Sequence, residues 1–314
     1  MRKLMYSIVI LAIALSGCKS KKSIDEITIG TFSMAIDYSP YYVAKHFKWF
    51  EDSDVLKGKK ITFMQFNDRD AIAASLGKNE LNVVFAAEPP IIITKAQGAD
   101  VKIVDISCVL RQEILINNQL NVSSPSELKG YKIAVLAGTS SHYGLIEILK
   151  KYHVDNTDNN RFMAPDEART AFERGDIDAW AVWPPFVEQQ LVNGNGKILQ
   201  GGDAVIQSVV AMPSIMLTDY PEISKEIISI VNKAKTWIEE NPQEAISIVA
   251  KEIDLNVEIV ELAWNKHLWS AKLDKRLIDD IQDKANFLAE QKMTRNNIVV
   301  NAKDLIFGYD EKYK

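Results

Sequence analysis

The chain has 314 residues, 47% of them hydrophobic and 25% charged, with a formal charge of −5. This composition excludes a disordered, collagen-like or coiled-coil chain, and the acidic balance excludes a nucleic-acid binder relying on a broad basic face. The length accommodates two domains of ordinary size.

The first segment stands apart from the rest. Arg2 and Lys3 precede an almost uninterrupted apolar run from Leu4 to Leu15. The run is short for a bilayer span and suits a signal-peptide core. It ends in Leu15-Ser16-Gly17-Cys18, which resembles the bacterial lipobox, where a small residue precedes a cysteine that is lipid-modified. The resemblance implies a lipoprotein signal peptide over residues 1–17, lipid on Cys18 and a lipidated tether over 18–24. It places the protein in the cell envelope, lipid-anchored and extracytoplasmic. With Cys18 modified, Cys108 has no partner and no intrachain disulfide is expected.

Beyond the tether, Ile27-Thr28-Ile29-Gly30 is a β-prone run ending in a chain-turning glycine. Ser39-Pro40 reads as an N-cap with proline at the first helical position. Val43, Phe47 and Phe50, at i, i+4 and i+7, predict an amphipathic helix over 40–50. Ile61 to Phe66 alternates as a strand, and Asn67 caps a helix carrying Ile72 and Leu76 that stops at Gly77. The unit then repeats. Leu81 to Ala86 is a strand, Pro89-Pro90 opens a helix closed by Gly98, and Val101 to Ile106 is a strand again. Such alternation predicts a parallel α/β sheet.

Arg111 to Asn117 reads as an extended exit strand, and Ser124-Pro125-Ser126-Glu127 as a capping box. The rhythm restarts with a strand at 132–136, a turn at Gly138-Thr139-Ser140 and helices over 141–152 and 165–174. Asp178 to Trp183 is a strand, and Pro184-Pro185 opens a helix ended by Gly194. Val205 to Thr218 predicts a return strand. Helical patterns follow near 221–240, 242–252, 256–270 and 274–290. Two α/β rounds with a restart near 113–131 predict two lobes, lobe I over 25–112 and 208–314 and lobe II over 113–207. Two crossing segments would form a hinge between them.

In open α/β sheets ligands sit beyond the carboxyl ends of the strands, and that rule selects four loops. The first carries Phe32, Ser33, Asp37 and Tyr38, and the second Ala87 and Glu88. The third runs Gly138-Thr139-Ser140-Ser141-His142-Tyr143, and the fourth is Trp183-Pro184-Pro185-Phe186. A glycine, hydroxyls and a helix N-terminus suit the third loop to an anion, although Thr139 or Ser140 could equally cap that helix. Phe32, Tyr38, Tyr143 and Trp183 offer aromatic walls, and each is also a candidate for the core. Glu88 suits a helix N-terminus as well as a ligand. Asp178, on a strand, reads as structural. No G-x-S-x-G elbow, phosphate loop or paired metal-ligand histidines appear, so no catalytic residue, metal or cofactor is expected.

At these loops the chain resembles a known family. Ile36-Asp37-Tyr38-Ser39-Pro40-Tyr41-Tyr42-Val43-Ala44-Lys45 followed by Trp49-Phe50 is similar to the opening of the ABC-importer solute-binding proteins for nitrate, sulfonates, taurine and thiamine-type pyrimidines. Ala87-Glu88-Pro89-Pro90, Gly138 to Tyr143 and Asp178 to Pro185 look like three more of its segments in order. The resemblance implies a two-lobed α/β, type II periplasmic-binding-protein fold with a helical C-terminal segment and the solute in the cleft. It carries ligand contact over to Phe32, Asp37, Tyr38, Glu88, Thr139, Ser140, His142 and Trp183. Trp183-Pro184-Pro185 departs from the family, whose members often place an acid between Trp and Pro. Partners implied are a small solute and the permease and ATPase subunits, with the protein a monomer. The four loops contain no Arg or Lys, so a sulfonate or nitrate would rest on N–H groups, hydroxyls and a protonated His142. Acids with aromatic walls would suit an amine-bearing or aminopyrimidine solute. An enzyme on the same fold and a sensor subunit are the competing classes.

Overall fold

The computed structural model describes residues 24–32, 34–66, 69–78 and 80–312. The expected signal peptide, Cys18, most of the tether, Ser33 and the Asn67 cap lie outside the described residues. Among those described, the strands are β1 (Glu26–Phe32), β2 (Lys60–Phe66), β3 (Val83–Ala87), β4 (Val101–Asn117), β5 (Ile133–Val135), β6 (Asn160–Phe162), β7 (Ala179–Val182), β8 (Gly196–Pro213) and β9 (His267–Leu268). They form one sheet in the order β2-β1-β3-β8-β4-β7-β5-β6, with β9 against β4. The helices are α1 (Ser39–His46), α2 (Arg69–Gly77), α3 (Glu88–Ala96), α4 (Ser140–Lys151), α5 (Pro165–Arg174), α6 (Phe186–Val192), α7 (Ser214–Asp219), α8 (Pro221–Glu240), α9 (Pro242–Glu252), α10 (Val257–Trp264) and α11 (Lys275–Glu290). None of the described helices is long and apolar enough to cross a membrane.

β1 pairs with β2 and β3, and β5 with β6 and β7, all in parallel. The expected parallel pairing thus holds for β1 to β3 and for β5 to β7, but not for the strand expected at 101–106, which pairs antiparallel with β8. Between the rounds, β4 and β8 pair antiparallel from Val101↔Pro213 to Asn117↔Gly196. β3 joins β8 and β7 joins β4, also antiparallel.

The two expected strands at 101–106 and 111–117 are one element. Register shifts at Ile103/Asp105, Ile106/Cys108 and Glu113/Leu115 let the ladder continue past polar residues. The return strand starts earlier than expected, at Gly196, and ends at Pro213, where α7 begins. The expected helix over 40–50 stops at His46, since Lys48 turns the chain with φ 56°. Phe50 is buried all the same. The helix expected to reach residue 270 ends at Trp264, where His267 and Leu268 pair with β4 instead.

β3 and β7 are buried at every residue, as strands covered on both faces must be. Period-two alternation divides β7 between two cores. Ala179 and Ala181 join Ile133, Val135 and Leu145, whereas Trp180 and Val182 join the main core. Asp178 accepts the Lys132 N–H at 2.7 Å, a structural bond as its strand position indicated. Cys108 is buried and in no disulfide.

One buried ionic cluster ties helix to sheet at the middle of β4. Lys266, between α10 and β9, donates to Glu188 on α6 at 2.5 Å and also to Glu113 on β4. Burial works against the ammonium, but the two carboxylates outweigh it and raise the Lys266 pKa above the ordinary lysine value. Replacing Lys266 with Met would leave the buried Glu188 without its counter-charge, a loss of about 3–5 kcal/mol. Urea unfolding of Lys266→Met should therefore show a lower midpoint at unchanged slope. An unchanged midpoint would show that the cluster contributes nothing.

Candidate functional site

Strand ends from both rounds meet around one cavity. It is narrow, with about 20 Å3 of room for the centre of a water-sized sphere, and is lined by Phe32, Ala35, Asp37, Tyr38, Ala87, Pro90, Gln112, Thr139, Ser140 and Trp183. Each position follows from local structure. Phe32 ends β1, and Asp37 and Tyr38 lie in a short 3-10 turn (Ile36–Tyr38) before α1. The Asp37 carbonyl accepts the Ser107 hydroxyl at 2.7 Å, fixing this turn to β4. Ala87 ends β3, where Pro89 and Pro90 start α3 without needing N–H partners. Trp183 follows β7, and its indole N–H donates to the Met34 carbonyl at 3.1 Å, linking the fourth loop to the first. The Phe32 and Trp183 rings stand 6.2 Å apart.

Thr139 caps α4, accepting the His142 N–H at 3.4 Å while its own hydroxyl donates to the Leu136 carbonyl at 2.7 Å. The cap and the cavity wall are thus the same residue. Ser140 opens α4, where the first N–H groups have no carbonyl within the helix to reach.

The only ionisable carboxyl among the described lining residues is Asp37. Burial pushes its pKa up to about 6, against the lowering effect of the Ser208 hydroxyl. No Lys or Arg is among the described lining residues. The Tyr38 phenol, buried beside Asp37, is held well above its ordinary range and stays a neutral hydroxyl.

Other expected residues are placed elsewhere. The Glu88 carboxylate is fully buried, taking the Lys284 ammonium at 2.5 Å and the Gln207 N–H at 2.9 Å. Lys284 also meets Asp280 at 2.7 Å. Burial opposes its charge, but Glu88 and Asp280 outweigh that and raise its pKa. Gly138 and His142 line a separate groove with Phe162 and Lys292. His142 Nδ1 accepts the Gly138 N–H at 3.1 Å, so in this arrangement the ring is not the expected protonated counter-cation. Tyr143 packs edge-on against Phe287 of α11 at 5.2 Å. Ser33 is outside the described residues.

Four residues were not among the expected site residues: Ala35, Pro90, Gln112 and Arg169. Ala35 and Pro90 carry no polar signal. Gln112 stands between Arg111 and Glu113 in a strand of mixed polarity, so nothing marked it out. Arg169 borders an outer vestibule that shares Phe32 with the cavity, and it pairs with Asp166 at 3.0 Å.

Comparison with known proteins places this geometry. A family model described as NMT1/THI5 like matches residues 35–245. A Bacillus subtilis (strain 168) protein described as aliphatic sulfonates-binding is 27% identical over 322 residues, covering 98% of this chain and 95% of its own. The taurine-binding periplasmic protein of Escherichia coli (strain K12) is 23% identical over 151 residues, covering 48% of this chain and 47% of its own. The alkanesulfonate-binding protein of Xanthomonas axonopodis pv. citri bound to MOPS superposes with TM-score 0.77 at 22% identity, over 90% of this chain and 98% of that one. The two-lobed periplasmic-binding-protein fold expected from the sequence is the fold observed.

The placement of Glu88 has a consequence for mutagenesis. Glu88→Gln weakens a buried charge pair and should lower stability by about 1–3 kcal/mol, while affinity for whatever the cavity holds stays within about twofold. Thermal unfolding and calorimetric titration check both. Lost affinity at unchanged stability would put Glu88 in the site.

Proposed function

The chain belongs to the NMT1/THI5-like family, and on that premise we propose that it is the extracytoplasmic solute-binding subunit of an ABC importer. Its solute is an aliphatic sulfonate, and the best fit is a short aminoalkanesulfonate such as taurine. The observation that carries the choice is the charge content of the cavity: one buried carboxyl, no cation among the described lining residues, and a helix N-terminus in the same lining.

A sulfonate brought alone into that cavity would sit near Asp37 with no positive side chain to offset the repulsion. A solute that brings its own ammonium removes the conflict. The three sulfonate oxygens accept from the Ser140 hydroxyl and the first-turn N–H groups of α4, favoured by the helix dipole. The ammonium donates to Asp37, and Phe32 and Trp183 cover the short methylene link. Nitrate has no such second end, which makes it the poorer fit. The relatives described as sulfonate- and taurine-binding also favour this reading over an aminopyrimidine solute, and all are binding proteins rather than enzymes.

The cycle needs no chemistry in the protein. Residues 112/113 and 207/208, the lobe boundaries inferred from the sequence, fall inside β4 and β8. Bending there lets lobe I (25–112 and 208–314) and lobe II (113–207) part and close, and a ligand touching both favours the closed state. Lipid on Cys18 holds the monomer at the membrane, where the permease and ATPase subunits take up the solute.

The raised pKa of Asp37 gives this reading a sign. An ammonium needs the ionised carboxylate, so taurine affinity should fall about tenfold from pH 7 to pH 5 as Asp37 takes up a proton. An alkanesulfonate without an amine should show the opposite slope, binding better as the charge disappears. Asp37→Asn should flatten both profiles and weaken taurine about tenfold or more. Calorimetric titration across this range checks it. Equal slopes for the two ligands would contradict the zwitterion.

A further inference from the structure

A serine hydroxyl can accept or donate, and which it offers a ligand depends on what holds it from behind. Gln112 reaches from β4 to two serines of α4. Its Nε2 donates to Ser140 Oγ at 2.7 Å, and its Oε1 accepts the Ser141 hydroxyl at 3.0 Å. All three residues are buried. Ser140 and Gln112 line the ligand cavity, and Gln112 also lines, with Glu113 and Ser141, a second and mostly apolar pocket among Ile114, Leu145, Ile148 and Ala181.

That surrounding sets the direction of the chain of bonds. Were the amide reversed, Ser141 would accept from it, and its own O–H would turn toward a pocket lined mostly by aliphatic side chains. A buried donor left unmade costs about 1–3 kcal/mol. In the observed direction Ser141 donates, and Gln112 fills an acceptor site of Ser140. The Ser140 proton is then left to turn into the cavity, beside the second amide hydrogen of Gln112. Thr139 cannot substitute for it, because its proton is committed to the Leu136 carbonyl.

We propose that Gln112 is a positioning residue that determines head-group specificity: by donating to Ser140 it turns the Ser140 hydroxyl into a fixed donor, selecting a ligand end that accepts hydrogen bonds over one that donates them. The inference rests on the reading that the sulfonate end lies at Ser140. Ser141 belongs to the same device although it does not line the cavity. Gln112 is also borne by the strand where the two lobes join, so the orientation of the donor is built into the hinge strand.

The experiment titrates taurine calorimetrically into the wild type, Gln112→Met, Ser141→Ala, Ser140→Ala and the Gln112→Met/Ser140→Ala double variant, with thermal unfolding of each. Gln112→Met should weaken taurine about tenfold or more, and Ser141→Ala a few-fold from outside the cavity. In the Ser140→Ala background Gln112→Met should add less than about twofold, because the group it orients is gone. A merely structural role would weaken binding equally in both backgrounds, and that additivity would overturn the proposal. Should Gln112→Met not fold, Ser141→Ala decides, and unchanged taurine affinity there would overturn it. A folded wild type that binds neither taurine nor any alkanesulfonate would contradict the proposed function and take this inference with it. Wild-type binding with additive losses would contradict this inference alone.

Discussion

The antiparallel pairing of β4 with β8 is the constraint on which the rest of the structure depends. These are the longest strands among those described, and their ladder runs from Val101↔Pro213 to Asn117↔Gly196. One α/β round attaches to β8 through β3, and the other to β4 through β7. Every strand end that lines the cavity is therefore positioned relative to this pair. Its register shifts flank a regular stretch from Cys108 to Glu113 that carries Gln112 inside a largely buried strand. The ionic cluster of Lys266, Glu113 and Glu188 sits on the same stretch and joins α6 and the α10–β9 connection to it. The proposed hinge between the two rounds lies in this same pairing.

The cavity shows how little charge is needed to specify a solute. Its lining includes groups of opposite character: the N-terminus of α4 with Ser140, and the Asp37 carboxyl. The nearby cations are engaged elsewhere, Lys284 with Glu88 and Asp280, and Arg169 with Asp166. The described lining carries no compensating cation, and the proposed aminoalkanesulfonate would bring its own. Selection then comes from the polarity of hydroxyls and N–H groups rather than from an ion pair with the protein, so the site can hold an anion without a buried lysine or arginine.

Much of this was legible in the sequence, for reasons that are local. Thr139 capping α4, proline opening α3, α5, α8 and α9, and Gly175 ending α5 at φ 77° are short-range effects of backbone geometry. The rule that ligands gather at strand ends located Phe32, Asp37, Tyr38, Ala87, Thr139, Ser140 and Trp183, all of which line the cavity. What was not legible depends on partners distant in the chain. Glu88 meets Lys284 across 196 residues, and no local pattern announces that pairing. Within the third loop adjacency misled, because neighbours on a helix point about 100° apart. Ser140 faces the cavity, His142 the outer groove and Tyr143 the α11 helix. The orientation of Gln112 depends on register shifts in β4 that alternation alone does not encode.

The central claim concerns where each end of the solute lies, and a crystal structure of the protein grown with taurine tests it most directly. The account predicts the sulfonate oxygens within hydrogen-bond distance of Ser140 Oγ and the first N–H groups of α4, and the nitrogen against the Asp37 carboxylate. Taurine bound end-for-end, or seated in the groove beside His142 and Phe162, would contradict it.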